Sequence, residues 1–486
     1  MTAAGASLVE ASTGPTPAPE RSQSPSAARP GTGAGHRPAL RRCVAVEPEA
    51  FAGTYWGRAP LHCRAADFAA ARSAAPGSAP AGSTPPGAAP AGSIPAGSTP
   101  AGSAPAGSAP AAARPPGFGD LFGTGDADEL LSRRGLRTPF LRVVRDGEVL
   151  PAHSYVGPGG AGAEVGDQVR DERILALFAH GATLVFQGLH RLWPPLIDFA
   201  GTLAAELSVP VGVNAYLTPA GSRGFASHYD THDVFVLQVE GRKRWMIHEP
   251  VLDDPLERQP HGGRRDEVAA TAAGPPALEV ELAAGDTLYL PRGWLHSATA
   301  LGGPSLHLTL GLRALTRYAL VEELLALAAE EPALRAGFPL GFDPTDENQL
   351  AGQLAGTVAA LREALREPDV AAVARRMRSR TWPTSRPAPI RPLAQAAASE
   401  AVDPDTIVTP RAGLRWFLRT EPDAAILELP DRTIRFPAFC GPAVLAVLDA
   451  AGPVRVGDLP DLDGEDQVVL VRRLLREAVA VPARSA

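Results

Sequence analysis

Apolar and polar positions alternate most regularly between residues 209 and 312, and the alternation predicts a run of short strands. Strands are expected at 209–217, 233–240, 242–248, 278–282, 287–290 and 305–312, with Gly, Pro and Asp supplying turns between them. The pair Gly241-Arg242 reads as a turn joining the second strand to the third. Many short strands with such punctuation predict a barrel or jelly roll. Helical spacing appears on either side, at 126–131, 171–180, 195–207, 318–329 and 349–378, while 139–145 reads as a strand ending at an Asp146-Gly147 turn. Near the C-terminus, 426–436 reads as a hairpin followed by helices at 443–449 and 467–478, a pattern that suits a small winged-helix-like unit.

Two stretches break this patterning. Residues 1–36 are rich in Ala, Pro, Ser and Gly and bury too little apolar surface to offset ordering, so they are expected to be a disordered tail. Residues 74–116 repeat Pro-Ala-Gly-Ser units and are expected to form an extended, solvated insertion. The 486 residues therefore divide into a tail (1–36), a β-rich unit (37–312) interrupted at 74–116, a helical region with linker (313–400) and a terminal unit (401–486), an α+β chain.

Charge and cysteine content narrow the function. The net charge of −7 argues against a protein that lives by neutralising phosphates, and 401–486 carries ten Arg against thirteen Asp and Glu, so direct DNA binding is not expected. Cys43, Cys63 and Cys440 are scattered without zinc-knuckle spacing and suit a reducing compartment. With no apolar leader and no spanning run, a cytoplasmic protein without membrane contact is expected.

The candidate chemistry sits on the strands. His228 and Asp230 are two residues apart, so on an extended segment both side chains share a face, and a later His296 follows Pro291-Arg-Gly-Trp-Leu. Two imidazoles and one carboxylate on a β scaffold match the facial triad of non-haem Fe(II) oxygenases, which leaves half the coordination sphere open. Lys243 shares parity with Trp245 and Ile247. If these face inward, its ammonium requires an anion such as the far carboxylate of 2-oxoglutarate; if outward, it is a snorkelling surface lysine. Asn214 and Tyr216 share a strand face, which is either the wall of the same cavity or an ordinary polar face. His307, on a face with Thr309, is either a pocket donor or a satisfied core histidine. His232, beside the metal pair, is a candidate substrate contact, whereas His180, His190, His248 and His261 receive no role.

In these residues the chain resembles the JmjC-type ribosomal oxygenases, a cupin-like branch of the Fe(II)/2-oxoglutarate oxygenases. The likeness is close over 205–312. It rests on Asn214-Ala-Tyr-Leu-Thr-Pro, Gly224-Phe-Ala-Ser-His-Tyr-Asp, Phe235-Val-Leu-Gln-Val-Glu-Gly-Arg-Lys and Leu288-Tyr-Leu-Pro-Arg-Gly-Trp-Leu-His. The resemblance implies a JmjC/cupin double-stranded β-helix core, a helical dimerisation region and a C-terminal winged helix that does not bind DNA. It implies iron on His228, Asp230 and His296, 2-oxoglutarate on Lys243 and Asn214, Tyr216 lining the pocket, and O₂ as co-substrate. The implied activity is hydroxylation of a histidine or arginine side chain on a ribosomal protein, by a homodimer. The 74–116 insertion is foreign to the family pattern, and Thr231-His232-Asp233 stands where members carry acidic residues, which bears on substrate identity. Three other readings stand beside this one: the same chemistry on a small metabolite or non-ribosomal peptide, lysine demethylation, and a non-catalytic cupin used for binding.

Overall fold

The structure is a computed structural model describing residues 37–74, 117–162, 164–222 and 224–483. The expected tail at 1–36 lies outside the described residues, as does the expected insertion except for Ala74, which closes the helix Ala65–Ala74.

A nine-stranded antiparallel sheet forms the centre. Its order is Leu61–Cys63, Thr287–Leu290, Asp233–His248, Leu295–Leu312, Val211–Thr218, Thr183–Phe186, Leu141–Arg145 and Glu148–Val149, with Leu278–Leu282 paired to the far half of Asp233–His248. The two long strands pair twice, 233–240 against 306–312 and 242–248 against 295–301, with the register shifting between Leu301 and Leu306. The expected Gly241-Arg242 turn is therefore corrected: both halves belong to one bent 16-residue strand. Gly241 makes the bend possible. Its φ is +68°, and a Cβ there would lie 2.2 Å from the Pro304 carbonyl oxygen, so only glycine fits beneath the partner strand's bulge. Likewise the strand expected at 305–312 begins at Leu295, which puts His296 and His307 on one strand.

Bending both strands folds the sheet on itself and gives its two faces different fates. Alternate residues Val211, Val213, Ala215 and Leu217, with Phe235, Leu237, Leu306, Leu308 and Leu310, pack outward against Leu196, Phe199 and Leu203 of the helix Pro194–Leu207. That helix also fixes the start of the described chain, because its buried Glu206 carboxylate accepts the Ala39 and Leu40 amides at 3.0 and 2.8 Å. Inside the fold, Val234, Val236, Trp245, Ile247, Leu282, Leu288 and Leu290 make a second, smaller apolar cluster. Beyond it the outer face of the far layer meets water, where Arg242–Glu281 and Arg244–Glu279 are exposed pairs worth about 0–1 kcal/mol each. One closed layer and one wet layer is the jelly-roll arrangement expected, within an α+β chain.

The helix expected over 349–378 is two helices, Glu347–Ala364 and Val370–Thr381. Pro368 lacks the amide hydrogen that continuity requires, and Asp369 caps the second helix by accepting the Ala371 and Ala372 amides at 2.8 and 3.2 Å. The second helix is tied to Arg317–Ala328 through buried Glu323, which accepts from Arg376 at 2.9 Å and Arg380 at 3.3 Å. A separate core then joins the strands Phe417–Glu421, Ala424–Glu428 and Thr433–Pro437 to the helices Gly441–Leu448 and Gly464–Arg476. The helix Pro392–Glu400, ahead of the boundary expected at 401, is tied to this core through Gln395.

Candidate metal centre

The His-x-Asp segment reaches the barrel mouth by main-chain pairing. The His228 amide donates to the His296 carbonyl at 3.2 Å and the His296 amide donates to the His228 carbonyl at 2.8 Å, an isolated antiparallel bridge 68 residues apart in the chain. The Gly293 amide donates to the Asp230 carbonyl at 3.0 Å, so the Pro291–Trp294 turn buttresses the carboxylate from the other side. Ligand atoms of His228, Asp230 and His296 all lie within 4.8 Å of one another, and His296 Nε2 is 3.7 Å from Asp230 Oδ2.

Both imidazoles are set in the tautomer that metal binding needs. His228 Nδ1 donates to the Ala226 carbonyl at 2.8 Å and His296 Nδ1 to the Trp294 carbonyl at 3.1 Å, which leaves each Nε2 lone pair free. Burial, with His228 close by, pushes the His296 imidazole down to about 4, so it stays neutral at ordinary pH. Burial alone would raise the Asp230 carboxyl, but the neighbouring imidazoles, His296 and His228 foremost, outweigh it and hold it below its usual range. Two imidazole nitrogens and one carboxylate, converging on one point, form a donor set that fits a small divalent ion with open positions opposite.

The inner face of the strands behind the triad is polar. Lys243 is 3% exposed, and its Nζ donates to Thr218 Oγ1 at 3.1 Å; among the described residues no carboxylate pairs with it. Burial pushes its pKa down to about 7. Trp245 Nε1 and His307 Nδ1 are buried without hydrogen-bond partners among the described residues. Tyr216 stacks on His307 with ring centroids 4.9 Å apart, and Trp245 meets His307 edge-on at 5.4 Å and His296 at 6.0 Å. Asn214 accepts the Gly188 amide at 3.0 Å and its side chain also reaches the Tyr216 hydroxyl, whose pKa burial raises to about 12. One unpaired ammonium, two unsatisfied ring nitrogens and a threonine hydroxyl buried on this face suit an anion rich in acceptor atoms.

The inward alternative for Lys243 is the one observed, and Asn214, Tyr216 and His307 share its face through the pairings Asn214–Thr309 and Tyr216–His307. His232 lies at the mouth, its Nε2 2.7 Å from where a Cβ on Gly311 would stand. Two residues went unread. Thr218 follows Asn214 and Tyr216 at the same two-residue period, so parity was the available signal. His261, given no role from sequence, lies with its ring 5.5 Å from that of His228, and no local pattern announces it. Of the other unassigned histidines, His190 accepts the Val213 amide at 2.9 Å and His180 holds the Ala176 carbonyl, both structural uses.

A bent antiparallel barrel with a His, Asp, His triad at its mouth defines a cupin-class protein, and residues 198–320 match the JmjC domain. The chain carries this JmjC-domain likeness over the segment that holds all three triad residues. It is 44% identical over 137 residues to the bifunctional lysine-specific demethylase and histidyl-hydroxylase NO66 of Drosophila persimilis, covering 27% of this chain and 19% of that one. It is 41% identical over 155 residues to the protein of the same name from Drosophila mojavensis, covering 30% and 17%. The chain thus spans less than a fifth of the length of these relatives. The ribosomal oxygenase YcfD of Escherichia coli aligns over 90% of this chain and 98% of its own at 15% identity, with a TM-score of 0.45.

Proposed function

We propose that the chain is an Fe(II)- and 2-oxoglutarate-dependent oxygenase that hydroxylates a histidine or arginine side chain of a ribosomal protein. One observation carries the reading: a two-histidine, one-carboxylate triad sits at the mouth of a barrel whose buried lysine has no carboxylate partner among the described residues. His228, Asp230 and His296 are the residues that would hold the metal. Iron bound with 2-oxoglutarate and O₂ supplies oxidative decarboxylation to succinate and CO₂, coupled to hydroxylation of a C–H bond.

The protein's own part is binding, orientation and exclusion of water. Lys243 neutralises the far carboxylate of the keto acid, and the Thr218 hydroxyl steers the ammonium toward it. Trp245, His307 and Tyr216 wall the chamber, so the keto acid displaces water and enters in one orientation. Asn214 holds the Tyr216 hydroxyl on that wall. His232 stands at the mouth, where a substrate side chain enters. No side chain acts as nucleophile in this scheme.

Homodimerisation is part of the proposal. Leu320, Val321 and Leu325 on one helix and Leu350, Leu354 and Val358 on another are exposed large apolar side chains, the second set at four-residue intervals along one helix face. No helix among the described residues is long and apolar enough to cross a membrane. A ribosomal-protein substrate places the activity in the cytoplasm, and the acidic balance of 401–486 leaves DNA out of the scheme.

The test is mass spectrometry of ribosomal proteins from strains with and without the gene, alongside succinate release by the purified chain. A single hydroxylation lost on deletion and restored by the purified protein is expected. Succinate release from small metabolites alone would move the substrate class. Formaldehyde release from methylated lysine would identify demethylation, and no metal-dependent turnover on any of these would leave a binding module.

A further inference from the structure

The connector between the strands Asp233–His248 and Leu278–Leu282 runs from 249 to 277, far longer than a hairpin needs. It touches both ligand-bearing segments. Val268 of its helix Arg265–Ala272 is buried with Tyr229, the residue between His228 and Asp230, and with Leu295, the residue before His296. Tyr229 Oη donates to the Gln259 carbonyl at 3.0 Å, and Gln259 closes its own turn, accepting from the Leu256 amide at 2.9 Å. Gly293 has φ +91°, and a Cβ there would lie 2.8 Å from the Leu252 carbonyl and 3.0 Å from the Pro255 ring. The connector thus presses on the turn that supports Asp230. Asp254 adds an ion pair to Arg292 at 2.8 Å.

His261 stands where the connector comes nearest the triad. Its ring lies 5.5 Å from that of His228 at 55°, and 6.0 Å from Tyr229 at 78°, and it reaches the Tyr229 carbonyl. Phe225 flanks His228 as well, at 5.8 Å and 64°. Toward Lys243 the ring contacts run through Trp245, which touches His296 and His307, and through Phe225, which meets Tyr216 at 6.3 Å. His261 meets the rings of His228 and Tyr229 and, among the described residues, none of the inner-face rings Tyr216, Trp245 and His307, so it walls His228 from the connector side. The side-chain hydrogen bond of His228 goes to the carbonyl of exposed Ala226, a single contact at one edge of the ring.

We propose that the 249–277 connector is a clamp on the metal-ligand segments and that His261 is its positioning residue for His228, fixing the imidazole plane for the ion. The inference rests on reading His228, Asp230 and His296 as the metal site. Outer partners of ligating histidines change metal affinity by about 10- to 100-fold when removed, because an unheld ring must be ordered at the moment of binding.

The test uses the full chain stripped of metal and titrated with Co(II), reading both affinity and the visible Co(II) absorption band. Wild type binds and Asp230→Ala does not. His261→Ala is expected to bind about tenfold more weakly with an altered band and an unchanged apo-protein Tm, while His261→Phe, which restores a ring wall, recovers most of the affinity. His261→Ala binding as tightly as wild type with the same band would overturn the proposal. So would an affinity loss that tracks a lowered apo Tm and is not recovered by phenylalanine. If wild type itself fails to bind, or Asp230→Ala binds equally, the metal-site reading falls and the role of His261 falls with it.

Discussion

The barrel and the C-terminal unit both bury polar side chains, but they treat them differently. In the C-terminal unit each one is spent on the chain. Gln395 Nε2 donates to the Leu475 and Ala480 carbonyls at 2.9 and 2.7 Å, Gln467 to the Leu459 and Gly457 carbonyls at 2.8 and 3.3 Å, and the Ser399 hydroxyl to Ala396 at 2.7 Å. Inside the barrel, Lys243 has one hydroxyl, and Trp245 Nε1 and His307 Nδ1 have no partner among the described residues. An unsatisfied buried polar group costs about 1–3 kcal/mol and an ionised one more. A fold tolerates that cost where a guest completes the bonds, and tolerates none of it where the polar groups serve only to lock helices and strands together. On the proposed reading, the contrast separates groups kept for a ligand from groups kept for the chain.

Breaking the contrast at its strongest point means removing a triad member. His296→Ala is expected to lower 2-oxoglutarate turnover by more than about 100-fold, since even outer partners of a metal cost about 10- to 100-fold; succinate release measures it.

Replacing the unpaired cation sharpens the comparison next. Lys243→Met should weaken 2-oxoglutarate binding by about 30-fold or more, the loss expected when one partner of a buried charge pair goes, as calorimetric titration would read. The same substitution should raise the Tm of the ligand-free protein, because an unpaired buried charge is removed. The sign with pH follows from the depressed folded-state pKa. Below about 7 the ammonium is charged in both states and its burial destabilises the fold in full; as pH rises from about 7 toward its ordinary 10.5 that cost fades. The Tm advantage of the methionine variant is therefore largest below pH 7 and shrinks toward pH 10. A Tm that falls on substitution, at any pH in that window, would count against an unpaired lysine.

The smallest effect is expected in the other region. Gln395→Ala removes two buried hydrogen bonds, each worth about 0.5–1.5 kcal/mol net, and should cost about 1–3 kcal/mol in thermal or denaturant unfolding, with Co(II) and 2-oxoglutarate affinities unchanged. Loss of cosubstrate affinity in this variant would show that the two regions are not separable in the way their hydrogen bonds imply.

How much of this could be read from sequence depends on the range over which each feature is set. The shared face of His228 and Asp230, the inward parity of Lys243 with Trp245 and Ile247, and the common face of Asn214 and Tyr216 all follow from a two-residue period that neighbours in the chain enforce. The same logic would have added Thr218. From sequence the run through Gly241 reads as a turn because a left-handed glycine serves a hairpin and a strand bend equally well; the overlying Pro304 carbonyl decides between them, and it is 63 residues away. The helix break at Pro368 was available locally, since proline followed by an aspartate cap is a stop and a start together.

By itself, then, the sequence determined which side chains share a face and which chemistry those faces can support, because strand and helix periods are properties of adjacent residues. Only the tertiary structure decided that the amides and carbonyls of His228 and His296 pair directly, that Lys243 is enclosed without a carboxylate partner, and that His261 leans on a metal-ligating candidate. Those contacts depend on ladder register, on a bend made at one glycine and on a long connector folding back. Each joins residues that no periodicity along the chain relates.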